Sequence, residues 1–313
     1  MSALGVIFVV IFGLLLLITV VTAYLASEAR AVVPKRGKVT KVRGGAIHWV
    51  ESGQGRPIVM IHGLGGNLLN FTYALNEHLD DDFRVISIDR PGCGWSERTG
   101  EEQATLGEQA RMISDFIEAE KLENPLIVGH SLGGAIAVAM GLNHPEGLGG
   151  LALICPATQP IENTPDVFKG FEISSAWVRW TIAHTIAGPM GLLMQNKVYS
   201  EIFKPEAVVR DFGPKAGATL GRTPEAFIAA SEDISGAQSS VSAIAEREAE
   251  LKVPTAVLYA DEDNILDPKL HGEHFASLSG ADLKTLPGRG HMIPMTAPRD
   301  CADFIREMAA KTA

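Results

Sequence analysis

The chain has 313 residues, of which 46% are hydrophobic and 20% are charged, and its formal net charge is −10. The apolar content excludes an intrinsically disordered protein, and the acidic balance argues against a nucleic-acid partner, which requires a basic face. Three widely separated cysteines exclude a disulfide framework or a cysteine-rich zinc cluster. The length suits one large domain with an insertion, or two small domains.

The first predicted element is a membrane-spanning helix. Residues 4–26 carry no charge, and as a helix they would extend for about 34 Å, which is enough to cross a hydrocarbon core of about 30 Å. A cleaved signal peptide is the alternative, with Ala29-Arg30-Ala31 as its cleavage site, although no Lys or Arg precedes the apolar run. We predict a single uncleaved anchor and flank over residues 1–31.

The charges that follow the apolar run predict its orientation. Against the single acid Glu28, six basic residues follow it closely: Arg30, Lys35, Arg36, Lys38, Lys41 and Arg43. By the positive-inside rule, the long C-terminal part is then cytoplasmic. Cleavage of the apolar segment would instead leave this part secreted or periplasmic.

Beyond a short basic linker, strand and helix patterns alternate along the chain. The patterns predict strands at 46–52, 58–61, 84–88, 126–128 and 151–154, and helices at 106–120 and 133–142. Such alternation is typical of a parallel sheet covered by helices.

The alternation stops at Pro156. Residues 156–251 are helical in character, rich in bulky apolar side chains and divided by prolines into short helices. Strand and helix patterns then resume, at 254–259, 267–278, 283–286 and 298–310. We therefore predict an α/β domain whose core consists of residues 32–155 and 252–313, with residues 156–251 inserted as a helical cap.

The strongest functional motif is Gly129-His130-Ser131-Leu132-Gly133-Gly134, which follows a predicted strand and begins a predicted helix. This is the context of a Gly-x-Ser-x-Gly nucleophile turn. The glycines permit a strained turn that holds Ser131 Oγ at its tip, and the helix N-terminus offers backbone N–H groups to a developing anion.

Two further loops follow predicted strands. In His62-Gly63-Leu64-Gly65-Gly66, the glycines allow backbone N–H groups to approach a substrate, and we expect the Leu64 and Leu132 N–H groups to form an oxyanion hole. His62 itself is interpreted as a structural histidine. The second loop, residues 89–96, is expected to shape the neighbourhood of the site rather than to do chemistry.

With these motifs, residues 38–310 resemble the α/β-hydrolase superfamily, which implies a mostly parallel eight-stranded sheet. In the superfamily, the catalytic residues occur along the chain in the order serine, acid, histidine, and the acid lies just after the seventh strand. In Ala260-Asp261-Glu262-Asp263 this spacing implies Asp263 as the acid, and Asp261 or Asp267 is the alternative. The family's histidine lies in a loop after the last strand, which implies His291, within Gly288-Arg289-Gly290-His291-Met292.

The resemblance implies a serine carboxylic-ester hydrolase that forms an acyl-enzyme through Ser131, His291 and Asp263. It implies no metal and no organic cofactor. Serine at position 131 disfavours the epoxide hydrolases and dehalogenases of this fold, which carry aspartate there. The apolar cap and the anchor resemble those of membrane-anchored monoacylglycerol lipases and bacterial esterases, so the expected substrates are medium-chain or monoacyl lipid esters. A C–C bond hydrolase of a vinylogous diketone, an acyltransferase and a non-catalytic binding protein remain as alternatives.

Overall fold

The computed structural model describes residues 2–161 and 164–312. The chain begins with a helix of 30 residues, α1 (Ala3–Val32), which is long and apolar enough to cross a membrane. Its apolar part is exposed, whereas four residues of its last three turns are buried: Thr22, Leu25, Ala26 and Ala29. The helix thus extends beyond the apolar run from which the anchor was predicted, because its C-terminal end packs against the folded domain.

A single twisted sheet forms the centre of the domain. Its strands are β1 (Lys38–Val42), β2 (Gly45–Ser52), β3 (Arg56–Ile61), β4 (Phe83–Ile88), β5 (Glu97–Arg98), β6 (Leu126–His130), β7 (Gly150–Ile154), β8 (Thr255–Ala260) and β9 (Asp282–Leu286). Eight of them follow the order β1-β2-β4-β3-β6-β7-β8-β9, which agrees in number with the expected eight-stranded sheet. The two-residue β5, which pairs with β2, is a ninth strand that is too short to show a periodic pattern.

The sheet is parallel from β4 to β9 and antiparallel where β2 pairs with β1, β4 and β5. The central strands are buried on both faces, as β6 and β7 show with every residue buried. This explains why they appear in the sequence as continuous apolar runs rather than as alternating patterns. Because β3, β6, β8 and β9 are parallel, the loops after them lie at one edge of the sheet, where ligands bind in open α/β folds.

Helices cover the sheet and fill the insertion. They are α2 (Leu69–Thr72), α3 (Leu106–Ala119), α4 (Leu132–Asn143), α5 (Ala176–Ile182), α6 (Gly188–Phe203), α7 (Phe212–Lys215), α8 (Pro224–Ala245), α9 (Phe275–Ser279), α10 (Ile293–Thr296) and α11 (Pro298–Lys311). The π-helical segment Ala183–Ala187 joins α5 to α6 without a break, and Lys269–His274 precedes α9. Single 3₁₀ turns occur at Asn76–His78, Glu101–Ala104, Lys169–Phe171, Ala218–Arg222 and Glu248–Glu250.

Between β7 and β8, the described residues contain helices and loops but no strand. The end of α1 packs against three parts of this insertion: the π-helical segment Ala183–Ala187, α6 and the turn Ala218–Arg222. The longest inserted helix, α8, instead packs against the core. There a Cβ atom on Gly236 would lie 2.3 Å from the carbonyl oxygen of Ala104, so only glycine permits this approach.

Candidate active site

Ser131 lies at the turn between β6 and α4, in a backbone conformation that L-residues rarely adopt. Its φ is 56° and its ψ is −122°, and such strain persists only where the surrounding structure enforces it. Cβ atoms on Gly129 and Gly133 would lie 2.4 Å and 2.1 Å from backbone oxygens, so both positions require glycine. The turn places Ser131 at the wall of a large cavity.

Asp263 and His291 come together from the loops after β8 and β9. Asp263 Oδ2 lies 2.7 Å from His291 Nδ1, and its Oδ1 accepts hydrogen bonds from the backbone N–H groups of Ile265 and Leu266. Burial opposes ionisation of Asp263, but the attraction to His291 and these hydrogen bonds outweigh it, so its pKa lies below the usual value. The carboxylate is therefore charged and can orient the imidazole.

His291 lines the same cavity as Ser131. A ring that donates from Nδ1 to Asp263 has its acceptor lone pair on Nε2. Within residues 2–161 and 164–312 no hydrogen bond joins Nε2 to Ser131 Oγ. Such contacts are often long without a ligand and tighten when the substrate binds.

The two alternative acids lie apart from this pair. Asp261 is exposed and accepts a hydrogen bond from the backbone N–H of Gly288 at 2.6 Å. Asp267 is also exposed and accepts from the N–H of Lys269 at 2.9 Å. Of these three aspartates, Asp263 is the one whose carboxylate contacts His291.

The backbone N–H groups of Leu64 and Leu132 both belong to residues that line the cavity. Leu132 is the first residue of α4, where an N–H has no partner within the helix and carries the positive end of the helix dipole. Among the described residues neither N–H donates a hydrogen bond to the protein. Both are free to bind an oxygen in the cavity.

The peptide group between Gly63 and Leu64 is fixed in orientation by hydrogen bonds to its carbonyl oxygen. This oxygen, on Gly63, accepts hydrogen bonds from His62 Nδ1 at 2.8 Å, from Arg90 Nη2 at 3.1 Å and from the Gly66 N–H at 3.3 Å. In a trans peptide the N–H points away from the carbonyl. The donors that fix the carbonyl therefore also fix the direction of the Leu64 N–H.

Arg90 is itself held by a buried carboxylate of the cap. Its guanidinium is fully buried and lies 2.8 Å from Asp233 of α8, which also pairs with Arg98 at 2.6 Å. Burial raises the pKa of Asp233, but the two arginines overcome this effect and lower it, so the carboxylate stays ionised. Neither Arg90 nor Asp233 was predicted as part of the site, because nothing local in the sequence links an arginine after β4 to an aspartate more than a hundred residues away.

His62 and Asp89, which lie in the two predicted loops, make hydrogen bonds that stabilise these loops. The His62 Nε2 atom accepts from the backbone N–H of Arg90, and burial lowers the pKa of the ring to about 3, so it is neutral. Asp89 is buried and accepts hydrogen bonds from the N–H groups of Leu68 and Trp95 and from His48 Nδ1. These contacts shape the loop beside Ser131.

Cys155 lies beside the Asp263–His291 pair. Its Sγ atom and one ligand atom from each of the two partners lie within 4.8 Å of one another, a spacing that a metal site would require. Burial raises the pKa of the Cys155 thiol well above its usual value, so the thiol is protonated, whereas metals bind the thiolate. The donor set therefore fits a metal poorly.

The cavity above Ser131 has a volume of about 1120 Å³, at or above the upper end for small-molecule sites. The core contributes the loops described above, and the insertion contributes apolar side chains such as Phe171, Ile182, Met190, Phe227 and Ile234. Such a cavity accommodates a long apolar ligand with its polar group at Ser131.

The chain is similar to known hydrolases. A family model described as alpha/beta hydrolase fold matches residues 56–298. Monoacylglycerol lipase ABHD6 of Mus musculus is 25% identical over 273 residues, which cover 82% of this chain and 78% of that protein. The 2-hydroxy-6-oxo-6-phenylhexa-2,4-dienoate hydrolase of Comamonas testosteroni is 31% identical over 134 residues, 39% of this chain and 47% of that protein.

Among solved structures, a membrane phospholipase A described as a bacterial virulence factor superposes with a TM-score of 0.70 at 20% identity. The match covers 99% of this chain and 97% of the other. The likeness in fold therefore includes the N-terminal helix as well as the sheet and the insertion.

Proposed function

Because the chain belongs to the α/β-hydrolase family, we propose that it is a serine hydrolase that cleaves carboxylic esters through Ser131, His291 and Asp263. The observation that carries the proposal is the buried 2.7 Å contact between Asp263 and His291 at the cavity that holds the strained Ser131. Nucleophile, base and orienting acid are the three roles that such hydrolysis requires.

In the proposed reaction, His291 Nε2 takes the proton of Ser131 as Oγ attacks the ester carbonyl. The oxygen that becomes negative is stabilised by the Leu64 and Leu132 N–H groups, each worth about 3–4 kcal/mol by analogy with other hydrolases. Asp263 stabilises the imidazolium, which then protonates the departing alcohol. Water, activated by His291, hydrolyses the acyl-enzyme and restores Ser131.

The proposed substrates are medium-chain or monoacyl lipid esters. The size of the cavity and its apolar lining from the cap support an extended acyl chain, and the similarity to monoacylglycerol lipase agrees with this class. An acyltransferase would use the same acyl-enzyme with an alcohol in place of water, and product analysis distinguishes the two.

We further propose that α1 anchors the protein in a membrane. A cleaved signal peptide would not be expected to form part of the fold, whereas Thr22, Leu25, Ala26 and Ala29 of α1 are buried in it. The likeness to a membrane phospholipase A across 99% of the chain supports the same interpretation. The cytoplasmic orientation of the domain, drawn from the flanking charges, stays a prediction.

Initial rates on p-nitrophenyl esters from acetate to palmitate, for wild type and Ser131→Ala, test the proposal. We expect a maximum at medium or long chains and a loss of several orders of magnitude in the variant. Labelling with a fluorophosphonate that requires Ser131 is the matched control, since it reports an activated serine even where every ester is a poor substrate. Wild-type activity in Ser131→Ala would refute the assignment, and absent labelling would favour the non-catalytic alternative.

A C–C bond hydrolase is the second candidate, and the 31% identity to the Comamonas testosteroni enzyme favours it. That match covers less than half of either chain. The test is to add 2-hydroxy-6-oxo-6-phenylhexa-2,4-dienoate and to follow the loss of its absorbance. Turnover of this compound that exceeds the turnover of every ester would replace the proposed activity.

A further inference from the structure

The cap carries large apolar side chains on its outer surface. Over α5, the π-helical segment and α6, the side chains of Trp177, Trp180 and Leu193 are 74%, 57% and 77% exposed, and Ile186, Met190 and Met194 are exposed as well. We call these six residues the cap apolar face. Scattered exposed apolar residues are ordinary, but a cluster on one helical run indicates an interaction surface.

Part of the cap apolar face also belongs to the lining of the cavity. Ile186, Met190 and Met194 are exposed and also line the cavity above Ser131, as does Ile161 from the loop after β7. The face and the cavity therefore share three side chains.

The same part of the cap holds the end of α1. The Thr22 hydroxyl donates a hydrogen bond to the carbonyl oxygen of Thr185 in the π-helical segment, and α1 also contacts α6. Arg30 pairs with Glu225 at the start of α8 at 2.6 Å. The exposed apolar part of α1 thus leads away from the helices that carry the cap apolar face.

We propose that the cap apolar face lies in the interfacial region of the membrane leaflet next to the domain, so that lipid esters pass from the bilayer directly into the cavity. This inference rests on the proposed function for the role of α1 as an anchor and for the chemistry at Ser131.

The composition of the face fits a bilayer. Tryptophan is enriched where the hydrocarbon meets the headgroups, because its ring is apolar and its N–H is polar. Residues 173–200 contain no Asp or Glu, although the chain as a whole is acidic. Anionic headgroups therefore meet no acidic residue along this run, and Lys197 adds a positive charge at its end. A second copy of the chain could also cover the face, and the experiment below separates the two.

Tryptophan fluorescence tests the inference without reference to activity. The chain has four tryptophans, of which Trp177 and Trp180 are exposed while Trp49 is buried and Trp95 half-buried in the core. In the full-length chain reconstituted into phosphatidylcholine vesicles, lipids brominated on the acyl chain should quench part of the emission. The variant with Trp177→Phe and Trp180→Phe should lose that part and keep the unquenched emission of the core.

Hydrolysis provides the second measurement. Replacing Trp177, Trp180 and Leu193 by serine together should lower the hydrolysis of monoacylglycerol in vesicles by about tenfold, since interfacial binding follows the apolar area buried. Hydrolysis of soluble p-nitrophenyl butyrate should stay within about twofold, because none of the three residues lines the cavity. Leu278→Ser, at an exposed leucine on α9, is the matched control and should leave both rates unchanged.

Absence of quenching by brominated lipids would overturn the inference. If quenching is absent and cross-linking of the full-length chain shows a dimer that requires Trp177 and Trp180, the face belongs to a second copy. Quenching in a protein that hydrolyses no ester would keep the membrane contact and refute only the proposed chemistry.

Discussion

The core and the cap differ in the interactions that hold their residues in place. In the core, the site loops follow parallel strands that are joined by backbone hydrogen bonds and buried on both faces. The cap is joined to the core by buried ion pairs between Arg90 or Arg98 and Asp233 and by apolar contacts of α8 with the core, and several of its large apolar side chains are exposed. The core thus positions Ser131, Asp263 and His291, whereas the cap supplies much of the apolar lining of the cavity.

The largest effect should come from the acid of the core. Asp263→Asn removes the charge that orients His291 and stabilises its protonated form, so kcat for ester hydrolysis should fall roughly 10³- to 10⁴-fold. Asp261→Asn, at the exposed aspartate two residues earlier, should keep nearly all of the activity. Initial rates on one ester for both variants check this expectation, and the reverse order would move the acid to Asp261.

The next largest effect should appear where core and cap meet. A lysine at position 90 keeps the charge, but its single amine cannot bond Gly63 and Asp233 while also reaching Gln109, as the two Nη atoms of the arginine do. The Leu64 N–H would then be less firmly directed, and Arg90→Lys should lower kcat by about tenfold with little change in KM.

Steady-state kinetics on a soluble ester measure this effect. Arg84→Lys, at a partly exposed arginine of β4 that pairs with Glu51, is the matched control and should have little effect. A rise in KM without a fall in kcat would mean that Arg90 shapes the cavity rather than the oxyanion hole.

The stability of the cap should depend on α1 more than the stability of the core does. Removal of residues 1–21 leaves the buried contacts of α1 in place, whereas removal of residues 1–33 also deletes Thr22, Leu25, Ala26, Ala29 and Val33, all of them buried. Burial of one leucine contributes about 1.5–3 kcal/mol, so the shorter protein should melt about 5 °C lower. Thermal unfolding of both proteins in one detergent measures the difference, and equal Tm values would show that the cap stands without α1.

The smallest effect concerns Glu248, which is fully buried at the end of the insertion. It accepts a hydrogen bond from Gln159 at 2.7 Å, and its other oxygen has no partner among the described residues. Burial outweighs this hydrogen bond and raises the pKa of Glu248 from 4.5 to about 7. The native state therefore holds a proton that the unfolded state loses between about pH 4.5 and 7, and stability falls as the pH rises through this window.

Glu248→Gln replaces the ionisable carboxyl group by a neutral amide and so removes this part of the pH dependence. The Tm of the variant should exceed that of wild type by about 2 °C at pH 8 and match it near pH 4.5. Tm measured at both pH values is the check, and a constant difference would exclude ionisation of Glu248 as the cause.

The fold of the core could be predicted because its signals are local. Continuous apolar runs mark the buried strands, and the glycines around Ser131 mark a turn whose geometry excludes other residues. Asp263 and His291 followed from the family spacing, and the structure brings them into contact. Their catalytic roles, like the boundaries of the cap, stay predictions.

Other features could not be predicted, because they depend on contacts between distant segments. Arg90 meets Asp233 only after α8 has folded onto the core, and an isolated arginine after a strand carries no pattern. The apolar residues of the cap indicated a lining for the cavity, and periodicity alone does not show which of them point outward. Likewise, nothing in an apolar run of sequence shows that the end of α1 packs against the cap.

The direct packing of α1 on the cap leaves only residues 33–37 between helix and sheet. The domain would therefore be connected rigidly to the proposed membrane anchor rather than through a long flexible linker. Each residue of an α-helix adds about 1.5 Å of length and about 100° of rotation. Alanines inserted between Val21 and Thr22 would turn the domain about the anchor, so activity on embedded lipids should rise and fall with the helical period as residues are added.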